Sequence, residues 1–475
     1  MKHHRKMNLK SIPMLGLAVC LAAGAFLASA TASPVASRTN AVSVWSANAG
    51  EAAIAACISP GDDPLHESRL YAMTHIAIHD ALNAIDRRSR PYAFDARAQE
   101  RTSPDAAVAA AARDVLVTLL AQLAVPQSCI DAGVTSVDAD YAAALGAIPD
   151  GPAKFRGVAL GRAAAAAILA LRATDGSDTP LLVFDYPEGT APGEWRFTPG
   201  FPLAFAPGWA DVTPFVLSDS SQFRPRAPYP LTSRKYTDDF NEVKRLGGDG
   251  NTTPSERTPE QTQIALFWVE SSPQQWNRIA RTVSAAKHLD AWESSRLFGL
   301  LNMALADGYV GTFEAKYQEY RFWRPVTAIR LADTDGNPNT TADPTWTPLV
   351  PTPPIPDHDS GHSVEGGAAA QVMQRVLGTD HVRFETCSLT LPSGSTCNDS
   401  SPVLRRYTSL SQAADENGLS RILVGFHFRK PSRTGSSTAA RSATARSTAS
   451  CSPQATTRTT TSRARIVRAR PPTRP

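Results

Sequence analysis

The chain has 475 residues, of which 42% are hydrophobic and 19% charged. That is enough apolar material for a large core, and it excludes a disordered or fibrous protein. The formal charge of +4 comes from two basic ends, with nine arginines and no acid over 431–475 and four Lys/Arg and no acid in the first ten residues. Between the ends 35 basic residues face 44 acidic ones, a balance near −9, so the overall charge is no sign of a nucleic-acid partner.

Residues 1–32 read as an export signal: Lys2, Arg5, Lys6 and Lys10, then an apolar run from Met14 to Leu27, then small residues suited to cleavage. Residues 33–60 read as a loose lead-in. Helical periodicity starts at Ser68 and runs to Asp86. His75 and His79 lie four apart there, at metal-ligand spacing, but no glutamate follows His75 and a packed helix is the plainer reading. Further helices are expected at 104–124, 134–147 and 152–173.

Residues 179–230 are rich in proline and aromatics and read as a long ordered loop that could wall a pocket. Helices return at 233–246, 259–270 and 276–322, with a break near Asp290. A second proline-rich loop spans 332–358, followed by helices at 364–377 and 409–428. No alternating strand pattern and no later membrane-spanning stretch is evident, so the class is all-α: a single helical domain over 33–430 with long proline-rich loops. Cys387 and Cys397 bracket a short loop and, in an exported chain, read as a local disulfide; Cys57 and Cys129 could form a second.

Three clusters carry candidate chemistry. Lys316 and Arg324 lie on a segment that Pro325 should stop. Ser360, Gly361 and His362 sit where the second proline-rich loop turns into a helix, whose first N–H groups are a ready site for a tetrahedral oxyanion. Arg421 and His427 are expected to share one helix with Ser420. Two arginines, a lysine and two histidines around a helix N-terminus describe a pocket for a multiply charged anion.

The run from Phe322 to Arg330, the Ser-Gly-His triplet and the Ser-Arg-x5-His pattern resemble the vanadium-dependent haloperoxidases, which share a helical fold and anion pocket with bacterial acid phosphatases and type 2 phosphatidic acid phosphatases. The stretch from Tyr71 to Asp86 also resembles the N-terminal helix of secreted bacterial members. The resemblance implies a helical bundle of the haloperoxidase and acid phosphatase type. It implies that Lys316, Arg324, Ser360, Gly361 and Arg421 hold vanadate oxygens, that His427 bonds the metal, and that His362 is the acid–base partner. Peroxide bound to that Lewis acid would oxidise halide to hypohalous acid. Two alternatives stay open: phosphoester hydrolysis in the same cage with His427 as nucleophile, and a decayed, inactive member. The substrates would be small molecules in each active case, with no nucleic-acid partner.

The sequence departs from the usual pattern in four places. Seven residues separate Lys316 from Arg324 where six are usual, so either a π-bulge absorbs the extra residue or Lys316 points elsewhere. Asp359 stands where a proline commonly precedes the serine. Pro431 stands where an acid often follows the second histidine by four. Residues 431–475 contain no Leu, Phe, Tyr, Trp or Met and read as a disordered basic tail. Codons for 431–454 can be chosen that, read one base earlier, give an amphipathic helix like the one that closes the family's fold, so out-of-frame translation is the expected origin of the tail.

Overall fold

The computed structural model describes residues 40–432; the expected export signal and all but the first two residues of the basic tail lie outside them. The lead-in is the first departure from expectation. Residues Ala41–Ala55 form a helix, α1, with Asn40 accepting a hydrogen bond from the Ser43 N–H as its cap. Its serines, alanines and glycine give little periodic signal. What holds it is burial of Val42, Trp45 and Ala49 in the main core.

The next helices are α2 (Pro64–Ile85), α3 (Pro104–Leu120), α4 (Gln127–Gly146) and α5 (Pro152–Leu171). Prolines at the first positions of α2, α3 and α5 are tolerated because the first N–H groups have no helical acceptor anyway. α2 is buried nearly throughout and packs on α3, α5 and α9 (Ala291–Phe313). α3 and α5 approach closely because both are alanine-rich and α5 carries Gly161, where a Cβ would lie 2.2 Å from the Ala107 carbonyl oxygen. A disulfide joins Cys57 to Cys129 and ties the end of α1 to α4.

After the long loop come α6 (Arg234–Leu246), α7 (Pro259–Phe267) and α8 (Ser272–Ala286). The break expected near Asp290 is a helix start: Asp290 and Glu293 form a reciprocal capping box for α9. Beyond Phe313 the helix widens into a π turn over Glu314–Tyr320. Pro325 opens a short helix, α10 (Pro325–Arg330), where the sequence led us to expect only a stop. α11 (Gly361–Leu377) packs on α9 and on α12 (Leu410–Leu423).

The strands among the described residues, which the sequence did not signal, are two short antiparallel pairs. Leu182–Val183 pairs with Ala204–Phe205, and Phe384–Thr386 pairs with Arg405–Tyr407. The fold is otherwise helical, as expected. Among the described residues no helix is long and apolar enough to cross a membrane.

Candidate anion site

The run from Phe322 to Ile329 is hydrophobic on both sides of Arg324. Phe322, Trp323, Val326 and Ile329 enter a cluster with Ile422 and Phe428, and that packing brings the start of α10 against the end of α12. The Arg324 side chain, 1% exposed, is thereby aimed inward. Its Nε donates to the Ile355 carbonyl at 2.5 Å, and its Nη1 donates to the Phe426 carbonyl at 3.0 Å and lies 2.9 Å from His427 Nε2.

His427 does not arrive by helical periodicity. α12 ends at Leu423, and Gly425 takes the left-handed conformation (φ 87°) that the reversal needs. The N–H groups of Phe426 and His427 then fold back onto the Arg421 carbonyl at 3.0 and 3.2 Å. The expectation that Ser420 and His427 share a helix face is therefore corrected: a glycine turn, not the helix, carries the histidine in. Ser420 is bonded to the Asn417 carbonyl. Arg421 points into the same space, its Nη1 donating to the Trp268 carbonyl at 2.8 Å and its guanidinium over the Phe426 ring at 5.0 Å.

Lys316 lies on the π turn and is buried, its Nζ donating to the carbonyls of Pro356 and Asp357 at 2.7 and 2.9 Å. The Arg321 N–H reaches the Lys316 carbonyl five residues back, the hydrogen bond of a π turn. The extra residue is thus absorbed in the backbone, and Lys316 faces the segment leading into Ser360. Arg321, on the other hand, turns outward, with φ 43° and its guanidinium over Tyr186.

Ser360 is the N-cap of α11, and its hydroxyl oxygen accepts from the Ser363 hydroxyl at 3.0 Å, leaving its own proton to donate. The N–H groups of Gly361 and His362 open the helix, where no intrahelical acceptor exists. His362 is half-buried, and its Nε2 donates to the Glu270 carbonyl at 3.1 Å. The Glu270 carboxylate is clamped in turn by Arg278 and the Leu389 N–H, while Arg278 also donates to the Cys387 carbonyl. The Cys387–Cys397 disulfide closes that loop, so it buttresses the carbonyl that holds His362.

Burial raises the energy of every cation here. It pulls Arg324 down to about 10, Arg421 to about 9, and Lys316 well below its ordinary value, with the neighbouring cations adding to the shifts of Arg421 and Lys316. Burial likewise holds His427 and His362 neutral, with Arg324 and Arg421 respectively as the next cause. The same burial lifts Asp357 and Asp359 to about 7 against the pull of Arg324 and Lys316. Three desolvated cations beside two carboxyl groups that resist ionisation form a site that favours an added anion.

Two acids escaped the sequence reading in different ways. Asp359, noted as a departure, has its Oδ1 buried without a hydrogen-bond partner. It edges a small cleft whose walls include Leu217 and Phe223 of the long loop and Gly311 and Thr312 of α9. The loop over 179–230 does therefore wall a pocket. Asp357 was not singled out at all, yet its Oδ1 lies 2.8 Å from His427 Nδ1. An acid three residues before Ser360 in a loop entering a helix was the only available signal.

The histidine pair on α2 lies elsewhere. His79 is held between Asp80 and Ser89 at 2.9 and 2.7 Å, and His75 stacks on Phe298 at 4.9 Å. Among the described residues no group of three His, Cys, Asp or Glu side chains could hold a metal ion. The donor set at Arg324, Lys316, Arg421, Ser360 and Gly361 instead suits the oxygens of an oxyanion. His427, whose ring lies 2.9 Å from Arg324 Nη1, adds a nitrogen donor to that set, so the residues present fit vanadate.

Comparison with known proteins finds similar sequences and folds among vanadium haloperoxidases. The family model for the second helical-bundle domain of vanadium chloroperoxidase matches residues 296–451. A vanadium chloroperoxidase from Curvularia inaequalis is 25% identical over an alignment of 281 positions that covers 47% of this chain and 45% of that protein, about half the length of each. A bacterial vanadium-dependent iodoperoxidase structure superposes with a TM-score of 0.70 at 23% identity, covering 87% of this chain and 98% of the other. A holo bacterial vanadium-dependent chloroperoxidase gives 0.64 at 17% identity, with 84% and 94% coverage. The resemblance to the vanadium haloperoxidases extends through the helical fold.

Proposed function

We propose that this chain, which shares the helical fold of the vanadium haloperoxidases, is an exported vanadate-dependent haloperoxidase that oxidises halide with peroxide. The observation that carries the reading is the meeting of Arg324 and His427 at 2.9 Å inside a buried space that Lys316 and Arg421 also face. When bound, vanadate would supply a Lewis acid on which peroxide is polarised for attack by halide.

The chain's own residues do the rest. Lys316, Arg324 and Arg421 would hold the anion's oxygens by charge-assisted hydrogen bonds, and the Ser360 hydroxyl and the N–H groups opening α11 would add neutral donors. His427 would hold the anion through a ring nitrogen. His362, held by the Glu270 carbonyl with its proton on Nε2, offers Nδ1 as the acceptor that takes a proton from incoming peroxide. Two disulfides, Cys57–Cys129 and Cys387–Cys397, support an oxidising compartment.

The test is to purify the full chain, add vanadate, and measure peroxide-dependent bromide and iodide oxidation beside phosphate-ester hydrolysis. Halide oxidation that needs vanadate and is lost in His427→Ala is the expected result. Hydrolysis that vanadate inhibits would replace the reading with a phosphatase in the same cage, and neither activity would mark a decayed member.

A further inference from the structure

We propose that the small cleft between α9 and the long loop is a subsite for hydrogen peroxide, which the Asp359 carboxyl and the Thr312 hydroxyl hold beside the anion site. Both side chains are buried, at 1% and 2% exposure, and both line the cleft. Asp359 Oδ1 and Thr312 Oγ1 nevertheless have no hydrogen-bond partner. The Thr312 hydroxyl lies close enough to favour the Asp359 carboxylate, yet it closes no hydrogen bond of normal geometry with it. Buried polar atoms left unbonded are costly, so a polar molecule that bridges the two is favoured.

Size and charge narrow the choice of molecule. The cleft has room for about one or two molecules the size of water. Its lining includes two acids, Asp307 and Asp359, and no cation, with Leu217, Phe223 and Val364 as apolar walls. Asp307 is already engaged: it accepts from the N–H groups of Phe215, Val216 and Leu217 at 2.5, 2.9 and 3.1 Å, and so fixes the long loop as one wall. A halide ion placed here would meet carboxyl groups and apolar surface, both unfavourable to it. A small neutral molecule with two hydroxyl groups suits the space, one O–H donating to Asp359 Oδ1 while the other oxygen shares a hydrogen bond with Thr312. Among the reactants of the proposed oxidation, peroxide is that molecule. The place is also right. A Cβ built on Gly361, the first residue of α11, would lie 3.9 Å from Thr312 Cγ2, so a side chain that lines the cleft also packs on the helix start that faces the proposed anion. On the other side Gly311 admits the loop closely, since a Cβ there would lie 3.3 Å from the Ser220 carbonyl oxygen. A proline at 359, common in similar sequences, would offer no side-chain acceptor, so the subsite belongs to this chain.

The subsite rests on the proposed activity for the identity of its ligand, and its first test needs no turnover. The vanadate-free full chain is labelled with 13C at the threonine methyls, the Thr312 signal is identified by its loss in Thr312→Val, and hydrogen peroxide is titrated in. The expected result is a saturable shift of the Thr312 signal that iodide and bromide at equal concentration do not produce. In turnover, Thr312→Val and Asp359→Leu should each raise the KM for peroxide roughly 2- to 10-fold. Thr312→Val should leave the iodide KM and the vanadate affinity, read by 51V NMR, within about twofold, because it removes a single hydroxyl that touches neither. Asp359→Asn keeps an acceptor oxygen and should recover most of the peroxide KM. If Asp359→Leu does not fold, the titration and Thr312→Val decide. No saturable shift, or an equal shift with iodide, overturns the subsite. Halide oxidation by a chain that shows no shift would remove the subsite and leave the proposed activity standing. A peroxide shift in a chain that oxidises no halide would keep the subsite and remove only the activity.

Discussion

The Lys316 ammonium donates to the main-chain carbonyl of Asp357 across 2.9 Å, and it reaches that oxygen from a π turn that takes up one residue more than an α-helix would. Deleting the exposed Gln318 should let the turn revert to α geometry with Lys316 still facing inward. Vanadate affinity should stay within about threefold, because the side-chain bond given up is the one from Gln318 to Asp211 at the surface. Inserting an alanine after Gln318 should rotate Lys316 by roughly 100° and lower affinity at least tenfold. Equilibrium titration of both variants checks the pair.

Arg324→Ala removes the group that touches both His427 and the proposed anion. Losing charge-assisted bonds of this kind should weaken vanadate binding by about 2–4 kcal/mol, roughly 30- to 1,000-fold. The readout is the melting temperature: vanadate should raise it in the wild-type protein by mass action and leave it unmoved in the variant.

Glu67 is a buried acid outside the cage, bonded to the Ser271 hydroxyl at 2.5 Å, and burial lifts it to about 8. A carboxyl raised in the folded state binds more protons there than in the unfolded chain between its two pKa values. Its contribution to stability is therefore full below about 4.5 and is lost as pH rises through about 8. Glu67→Gln cannot ionise. Relative to wild type it should gain stability as pH rises from 5 to 8, by at most about 1.4 kcal/mol per pH unit, measured by urea unfolding at each pH.

The two disulfides close loops of very different length, with separations of 72 residues for Cys57–Cys129 and 10 for Cys387–Cys397. Loop-closure entropy assigns about 4 kcal/mol to the first and about 3 to the second. Replacing Cys387 and Cys397 by serine should do something further. It should loosen the Arg278 and Glu270 contacts that hold His362, and so lower the rate of halide oxidation more than the vanadate affinity.

The tail makes a prediction about nucleic-acid sequence. If 431–475 arose by loss of one base near the codon of Lys430, the codons for 431–454 must read one base earlier as an amphipathic helix, and the frame-corrected protein should melt higher than this chain. Codons incompatible with that reading reject the idea. The Pro431 carbonyl accepts the Ser360 N–H at 3.4 Å, so the first residue of the tail already borders the proposed site.

How far the sequence could be read depends on the kind of signal each feature has. Helices with a strong apolar period, such as α2 and α9, and the proline-marked entry into α11 were legible because local sterics and capping decide them. α1 was not, because a run of serine, alanine and glycine becomes helical only when Trp45 and Val42 have a core to enter. By itself the sequence determined the helical class, the position of Ser360 at a helix start and the cations available to an anion. Tertiary structure alone decided that a π turn keeps Lys316 inward, that Gly425 rather than a helix face delivers His427, and that Asp357 meets its ring. Those three depend on contacts between segments far apart in the chain, and spacing along one segment carries no information about the distance to another.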